Sequence, residues 1–295
     1  MLDWGTEYCV DRAHGEAHWN HPGTNWCLDF HGDPCAAELV VYSDGNHHMA
    51  LLEAVCAFRE RHKLNDIFYT TTPPGPLVAA LKNGGRLRLG NLCIARTPHV
   101  FISPEPVLSS IDTAGSQVEA KPLFRSRGNA LLVRAGNPLN IGGIEDLQNK
   151  PIRLFLSNPE TEKISFSVYR DTLRNLAEPG GLDLTGLLAE DGGRVVYGDC
   201  IHHREAPLAI ARGDADCALL YYHLALRYTR LFPDDFELVP LSDTAHDHSM
   251  PEANLVSSSA ITIIGDGGPW GTAFMEYMLG DEVAAVYHHH GMIHG

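Results

Sequence analysis

The stretch Gly213-Asp-Ala-Asp-Cys-Ala-Leu-Leu-Tyr-Tyr-His-Leu-Ala225 places hydrogen-bonding side chains directly after an apolar run. It reads as a helix end, a Gly-containing turn, a short buried strand, and a polar edge where Tyr221, Tyr222 and His223 emerge. In open α/β sheets ligands sit outside the carboxyl ends of strands. A phenol or an imidazole there can donate to an anion, and an imidazole can also hold a metal. The same residues would serve equally as aromatics that cap a core. A second such place is Ser43-Asp-Gly-Asn-His-His48, between a strand and a helix. Exposed N–H groups and the helix dipole attract anions at a helix start. Ser43 and Asn46 could add side-chain donors, and His47 or His48 a ring N–H. Plain capping by Asp44 or Asn46, with both histidines packed locally, is the competing use of the same loop.

Three more helix starts carry polar residues: Thr71 and Thr72, Ser157 and Asn158, and His202-His203. If these converge, Ser43, Asn46, His47, His48, Thr71, Thr72, Ser157, Asn158, His203 and Tyr221 would surround a small tetrahedral or carboxylate anion. No cofactor is required for that. The alternative is a transition metal (Zn, Ni, Co or Cu) or a metal complex held by His47, His202, His203 and His223, with His48 a further candidate. No H-x-x-x-H or H-E-x-x-H spacing supports a metal on one helix. Neighbouring histidines also point apart, so a His-His pair rarely gives two ligands to one ion.

A cytoplasmic enzyme is the third class, because Asp44, Glu160 and Cys200 are reactive types. There is no nucleophile elbow, no P-loop and no G-x-G-x-x-G after a strand, so an enzyme is the less favoured class.

The 295 residues suffice for two medium domains, and the 44% hydrophobic fraction is that of a globular protein. A formal charge of −15 excludes non-specific nucleic-acid binding, which needs a basic footprint, and leaves any anion dependent on local donors. No apolar run is long enough to insert in a membrane. The first residues show neither a basic nor an apolar signal region, so the expected location is cytoplasmic, or periplasmic if a signal has been removed. Seven cysteines without a C-x-x-C pair fit a reducing compartment. Cys56, Cys93 and Cys217 read as small buried hydrophobes, whereas Cys9, Cys27 and Cys35 share the unusual N-terminal segment.

Residues 1–37 form an irregular arm with His14, His18, His21, Cys27, His31 and Cys35 but no zinc spacing. Trp19 and Trp26 suggest an arm laid over the body or over a second copy in a homodimer. The tail histidines 288–290 and 294 read as a solvated end.

Beyond the arm, strands and helices alternate. Strands are expected at 38–43, 66–71, 92–95, 99–103, 129–134, 152–156, 194–197, 236–240 and 260–264. Helices are expected at about 47–62, 165–177, 271–279 and 281–289, with one ending at Arg212. This spacing predicts βαβ units and an α/β fold.

The order of these pieces resembles the type II periplasmic binding proteins, in particular the molybdate- and tungstate-binding branch. The resemblance rests on Val40 to His48, Thr70-Thr-Thr-Pro-Pro-Gly75, Pro98 to Ser103, Leu131-Leu-Val with Gly136-Asn-Pro138 and Ile144 to Leu147, Leu156-Ser-Asn-Pro-Glu160, the 213–225 stretch, and Phe274 to Gly291. It covers roughly 38–295. It implies a two-lobed α/β fold with mixed, mostly parallel sheets and a two-stranded hinge. Lobe 1 would comprise 38–115 plus 235–295 and lobe 2 would comprise 116–234, with the ligand in the cleft between them. It further implies that Tyr221 lines an oxyanion site and that a transporter or regulator is the partner. The arm and the His-rich loops depart from an ordinary molybdate receptor.

Overall fold

The computed structural model describes residues 29–89, 92–111, 119–188, 193–199, 201–241 and 253–295. Most of the arm, with His14, His18, His21, Cys9 and Cys27, lies outside the described residues, as do Cys200, His246 and His248. The chain divides into two compact units, one containing 29–125 with 257–295 and the other 126–256.

The first segment runs β1 (Phe30–His31), β2 (Leu39–Ser43), α1 (His48–His62), β3 (Ile67–Thr70), α2 (Pro74–Lys82), β4 (Arg86–Leu89), β5 (Leu92–Ala95), β6 (Val100–Ser103), α3 (Glu105–Ser109) and β7 (Lys121–Arg125). The middle runs β8 (Asn129–Arg134), α4 (Ile144–Asn149), β9 (Leu154–Leu156), α5 (Lys163–Ala177), α6 (Thr185–Leu188), β10 (Val195–Tyr197), α7 (His202–Arg212), β11 (Cys217–Tyr221), α8 (Tyr222–Leu231) and β12 (Phe236–Pro240). The chain ends with β13 (Ser258–Ile263), α9 (Gly271–Met278), α10 (Asp281–His289) and β14 (Ile293–His294).

In the first unit the sheet order is β1-β3-β2-β6-β13-β7-β14. Its centre is the parallel trio β3-β2-β6, and β1, β13, β7 and β14 pair antiparallel around it. The sequence accounts for the trio. Leu39-Val-Val-Tyr-Ser43, Ile67-Phe-Tyr-Thr70 and Val100-Phe-Ile-Ser103 are apolar up to their last, hydroxyl-bearing residue and buried along their length, the mark of strands covered on both faces. Helix α1 buries Met49, Ala50, Leu51, Ala54, Val55 and Phe58 and ends where Lys63 takes a left-handed conformation at φ 55°. Helix α2 starts from Pro73-Pro74, whose missing N–H groups cost nothing in a first turn.

In the second unit the order is β10-β9-β11-β8-β12. Again a parallel trio, β10-β9-β11, carries antiparallel strands at its side. Strand β12 pairs with β8, so Phe236–Pro240 belongs to this unit rather than to the lobe containing the chain end, where the sequence reading had put it. A further difference follows Tyr221. The expected polar strand edge is instead the first turn of helix α8, which begins at Tyr222 with no breaker between strand and helix.

Two buried polar devices hold this unit. Asn254 binds the backbone of Asn129 in both directions. Its Oδ1 accepts from the Asn129 N–H at 2.7 Å, and its Nδ2 donates to the Asn129 carbonyl at 3.0 Å. Gly128, at φ +71°, is required beside it, because a Cβ there would lie 2.6 Å from Asn254 Cγ. The second is His202, buried against the rings of Phe155 and Tyr169 with Nε2 3.4 Å from the Phe155 carbonyl. Burial drives its pKa down to about 3, and the carbonyl contact opposes that only weakly.

Asn254→Ala leaves a buried N–H and a buried C=O without partners. At about 1–3 kcal/mol per group, it should destabilise the protein by about 2 kcal/mol or more in chemical denaturation. The low pKa of His202 means that the unfolded chain takes up a proton at this residue below about pH 6.5 while the folded chain does not until near 3. Its contribution to stability is therefore complete above about 6.5 and is lost as pH falls, by up to about 1.4 kcal/mol per unit. His202→Gln should give a shallower loss of stability between pH 6.5 and 4.5 than the natural protein; identical slopes would show that the ring is not held neutral.

Candidate functional site

In the first unit the parallel trio ends in hydroxyls. β3 ends at Thr70 and continues into Thr71, β2 ends at Ser43, and β6 ends at Ser103. All four residues are buried. The backbone N–H of Ser43 donates to Thr70 Oγ1 at 3.1 Å, and Thr70 Oγ1 returns a bond to the Ser43 carbonyl at 3.2 Å. Thr71 Oγ1 lies 3.1 Å from His31 Nε2. Gly45 lets the two loops approach, since a Cβ there would be 2.4 Å from the Thr71 carbonyl oxygen. Thr72 is also buried, just before Pro73.

Ser43 heads a hydrogen-bond chain. Its Oγ is 2.8 Å from His47 Nε2, and His47 Nδ1 is 2.7 Å from the Tyr287 hydroxyl on α10. Ser43 Oγ also donates to the Asp44 carbonyl at 3.1 Å. A carbonyl can only accept, so the hydroxyl proton of Ser43 is directed there, and the imidazole Nε2–H donates to Ser43. With a neutral ring, Nδ1 then accepts from Tyr287, and all three contacts are satisfied together. His47 packs against Phe124 at 4.5 Å and against Tyr287 at 5.8 Å between ring centres. Both of its ring nitrogens are thus engaged within the protein, and it orients Ser43.

His48 places Nδ1 2.9 Å from the Gly45 carbonyl, and Asn46 offers its backbone N–H to Asp44 Oδ1 at 3.2 Å. That last bond changes the reading of the loop, because the protein's own carboxylate takes an amide at the start of α1. Asp44 is 4% exposed, and no cation pairs with it among the described residues. Burial pushes its carboxyl up to about 6, and the Asn46 amide pulls weakly the other way.

In the second unit Ser157 follows β9 and is fully buried, and Tyr221 closes β11 as the residue before α8. The Tyr221 ring stacks on His223 at 5.7 Å and lies 5.3 Å from Tyr169. Asn158 spends its side chain locally: Oδ1 accepts from the N–H groups of Glu160 at 2.8 Å and Thr161 at 3.3 Å, and Nδ2 donates to the Gly198 carbonyl at 3.1 Å. The start of α7, where His202-His203 lie, is also occupied by carboxylates. Glu162 Oε2 accepts from the His202 N–H at 3.0 Å, and Glu205 accepts from Asp199 at 2.7 Å and from Ile201 at 2.8 Å. Two anionic side chains already complement that dipole, so an external anion gains little there. Burial raises the Glu162 carboxyl above its ordinary range.

Among the described residues no group of three or more His, Cys, Asp or Glu side chains is placed to hold a metal ion. His47 is in the first unit, whereas His202, His203 and His223 are in the second. His202 and His223 are buried beside aromatic rings, and His203 is partly exposed on α7. His289 and His290 meet edge to face, and His290 Nε2 contacts Glu53 at 3.0 Å.

Two hydroxyls stand apart. Ser103 Oγ and Ser157 Oγ are buried and have no hydrogen-bond partner among the described residues. Ser103 had no assigned role in the sequence reading; its signal was its place as the last residue of a strand running parallel to the one that ends at Ser43. Tyr287 carried no local signal, since its partner His47 lies 240 positions away.

A search of curated proteins found no match. Among solved structures the chain is similar to Peb3 from Campylobacter jejuni (TM-score 0.60, 15% identity, 86% of this chain and 99% of that one). It is similar to the periplasmic molybdate-binding protein of Azotobacter vinelandii (0.56, 18%, 87% and 99%). It is also similar to the sulfate-binding protein of Mycobacterium tuberculosis (0.58, 15%, 87% and 86%). At these identities the likeness is one of fold, and that fold is the mixed α/β architecture of periplasmic binding proteins. A family profile described as bacterial extracellular solute-binding protein matches residues 39–293, nearly the whole described chain. With its hydroxyl-tipped parallel strands and that match, the chain belongs to the bacterial extracellular solute-binding proteins.

Proposed function

We propose that the chain binds a small anion, with a tetrahedral oxyanion as the ligand class. The observation that carries this reading is the buried hydroxyl of Ser103, at the tip of the parallel trio, with no hydrogen-bond partner among the described residues. An unpaired buried donor costs about 1–3 kcal/mol, so such groups call for an explanation. A ligand oxygen supplies one. Thr71, which follows β3 in the same sheet, would add a donor, whereas the Ser43 hydroxyl is already directed to the Asp44 carbonyl; Ser157 and Tyr221 are the corresponding candidates within the second unit. The same protein Peb3 is known with L-phospholactate bound (TM-score 0.59, 15% identity, 86% of this chain and 99% of that one), so the similar folds above include a molybdate-binding protein, a sulfate-binding protein and a protein that holds a phosphorylated acid. All are anions. A molybdate- or tungstate-like ligand is one member of that class. Among the described residues, no cluster favours the metal alternative.

A family of extracellular solute-binding proteins hands its ligand to a transporter. That role, outside the cell membrane, is proposed for this chain in place of the cytoplasmic location read from its first residues. No described helix is long and apolar enough to cross a membrane.

Calorimetric titration with molybdate, tungstate, sulfate, phosphate and L-phospholactate, in chelator, tests the reading. At least one should bind. Ser103→Ala should weaken binding about tenfold or more, the value of about 1.5 kcal/mol for a hydrogen bond to a charged group. Ligand-free stability should be unchanged or higher, because the hydroxyl removed had no partner. Unchanged affinity in that variant, or binding confined to Zn, Ni, Co or Cu when chelator is omitted, would refute it.

A further inference from the structure

The last residues of the N-terminal arm are built into the sheet, beside the strand tips of the candidate site. Strand β1 pairs antiparallel with β3, Phe30 opposite Thr70 and His31 opposite Tyr69. Successive side chains of a strand take opposite faces. The Phe30 ring stacks near Phe68, at 6.3 Å and 7°, and packs against the core on that side. The His31 ring stacks on Tyr69, at 4.3 Å and 14°. Gly32 lets the chain press this close, since a Cβ there would lie 2.2 Å from the Ile67 carbonyl oxygen. These contacts hold the imidazole at Thr71, two residues beyond Tyr69, with Nε2 3.1 Å from Thr71 Oγ1.

Thr71 has two donors, its N–H and its hydroxyl. The N–H is committed to the Asp29 carbonyl at 2.9 Å. The hydroxyl hydrogen is the one donor left for a ligand, and His31 governs its direction. A bare Nε2 would accept that hydrogen, leaving Thr71 nothing to donate. An Nε2 that carries a hydrogen donates to Oγ1 instead, and the hydroxyl hydrogen points away from the ring. Thr71 is 3% exposed, so solvent competes little for it.

We infer that His31 is a positioning residue for the anion site: its Nε2–H donates to Thr71 Oγ1 and keeps the Thr71 hydroxyl hydrogen for the ligand. This rests on the anion reading above and deepens it, by giving the end of the arm a part in binding. A phenylalanine at 31 would make the same strand pairing and a similar stack on Tyr69; the imidazole adds the bond to Thr71.

Two measurements test it. Nitrogen-15 NMR of the histidine rings in the ligand-free protein at about pH 8, above the ordinary histidine range, with His31 assigned by its contact with the Tyr69 ring, should show a hydrogen on Nε2. A bare Nε2 overturns the inference, whatever the anions do. The second is a double-mutant cycle, read by calorimetric titration with whichever of molybdate, tungstate, sulfate, phosphate and L-phospholactate binds the natural protein. His31→Phe should weaken binding about fivefold, and Thr71→Val, which keeps the side-chain shape without the hydroxyl, about tenfold. The double variant should bind no more weakly than Thr71→Val alone, because His31 acts through that hydroxyl. A merely structural role for His31 predicts losses that multiply instead, and that result overturns the inference. Unchanged or tighter binding by His31→Phe, or natural affinity in Thr71→Val, overturns it as well, and each of these leaves the Ser103 anion reading standing. If His31→Phe does not fold, the ring spectrum of the natural protein decides alone. If none of the five anions binds, the anion reading falls and this inference with it.

Discussion

The hydrogen-bond chain from Tyr287 through His47 to Ser43 is the contact on which the candidate site depends. It joins the end of the central strand β2, the first residue before α1, and the penultimate element α10. Each member is buried, so each lost bond would leave a polar atom without solvent to replace it. The chain fixes which way the Ser43 hydroxyl points and fixes the path of the loop that follows. Gly45 then allows that loop to close on the Thr71 carbonyl. Bonds made in a dry interior polarise one another, so such a chain acts as a unit rather than as three separate contacts.

A second constraint shapes what the site can accept. The starts of α1 and α7 are the places where a helix dipole would ordinarily draw an anion, yet Asp44 at one and Glu162 with Glu205 at the other already hold backbone amides. The chain carries a formal charge of −15, so long-range attraction does not help an anion either. What remains is short-range donation from hydroxyls at the strand ends. Ser103 and Ser157 have that capacity unspent, whereas Asn158 and His47 have spent theirs on the protein. Chemical type alone does not separate these groups; their partners do.

The elements themselves were legible. Strands at 39–43, 67–70 and 100–103 and helices at 48–62 and 281–289 lie within a residue or so of the periodicity reading. Local physics decides them, because a continuous apolar run of β-branched residues suits a strand buried on both faces, and a stripe every three to four residues suits a helix on a sheet. Where no breaker marks the boundary, the reading failed. Cys217 to Leu226 is largely apolar from β11 into the start of α8, and only packing divides it at Tyr222. The same limit applied to β12, whose sequence shows a strand but not that β8 is its neighbour.

By itself the sequence determined the alternation of strands and helices, the hydroxyl, amide and histidine types at the strand ends, and the acidic charge. Those properties are local or additive along the chain. Tertiary structure decided which polar groups are spent and which remain available. His47 could have been a donor to ligand until Tyr287, 240 residues later, claimed its second nitrogen. Asp44 could have been an exposed cap until the fold buried it, with no cation paired to it among the described residues. A hydrogen bond or a desolvated charge depends on distances between residues remote in the chain, and those distances exist only once the core has packed.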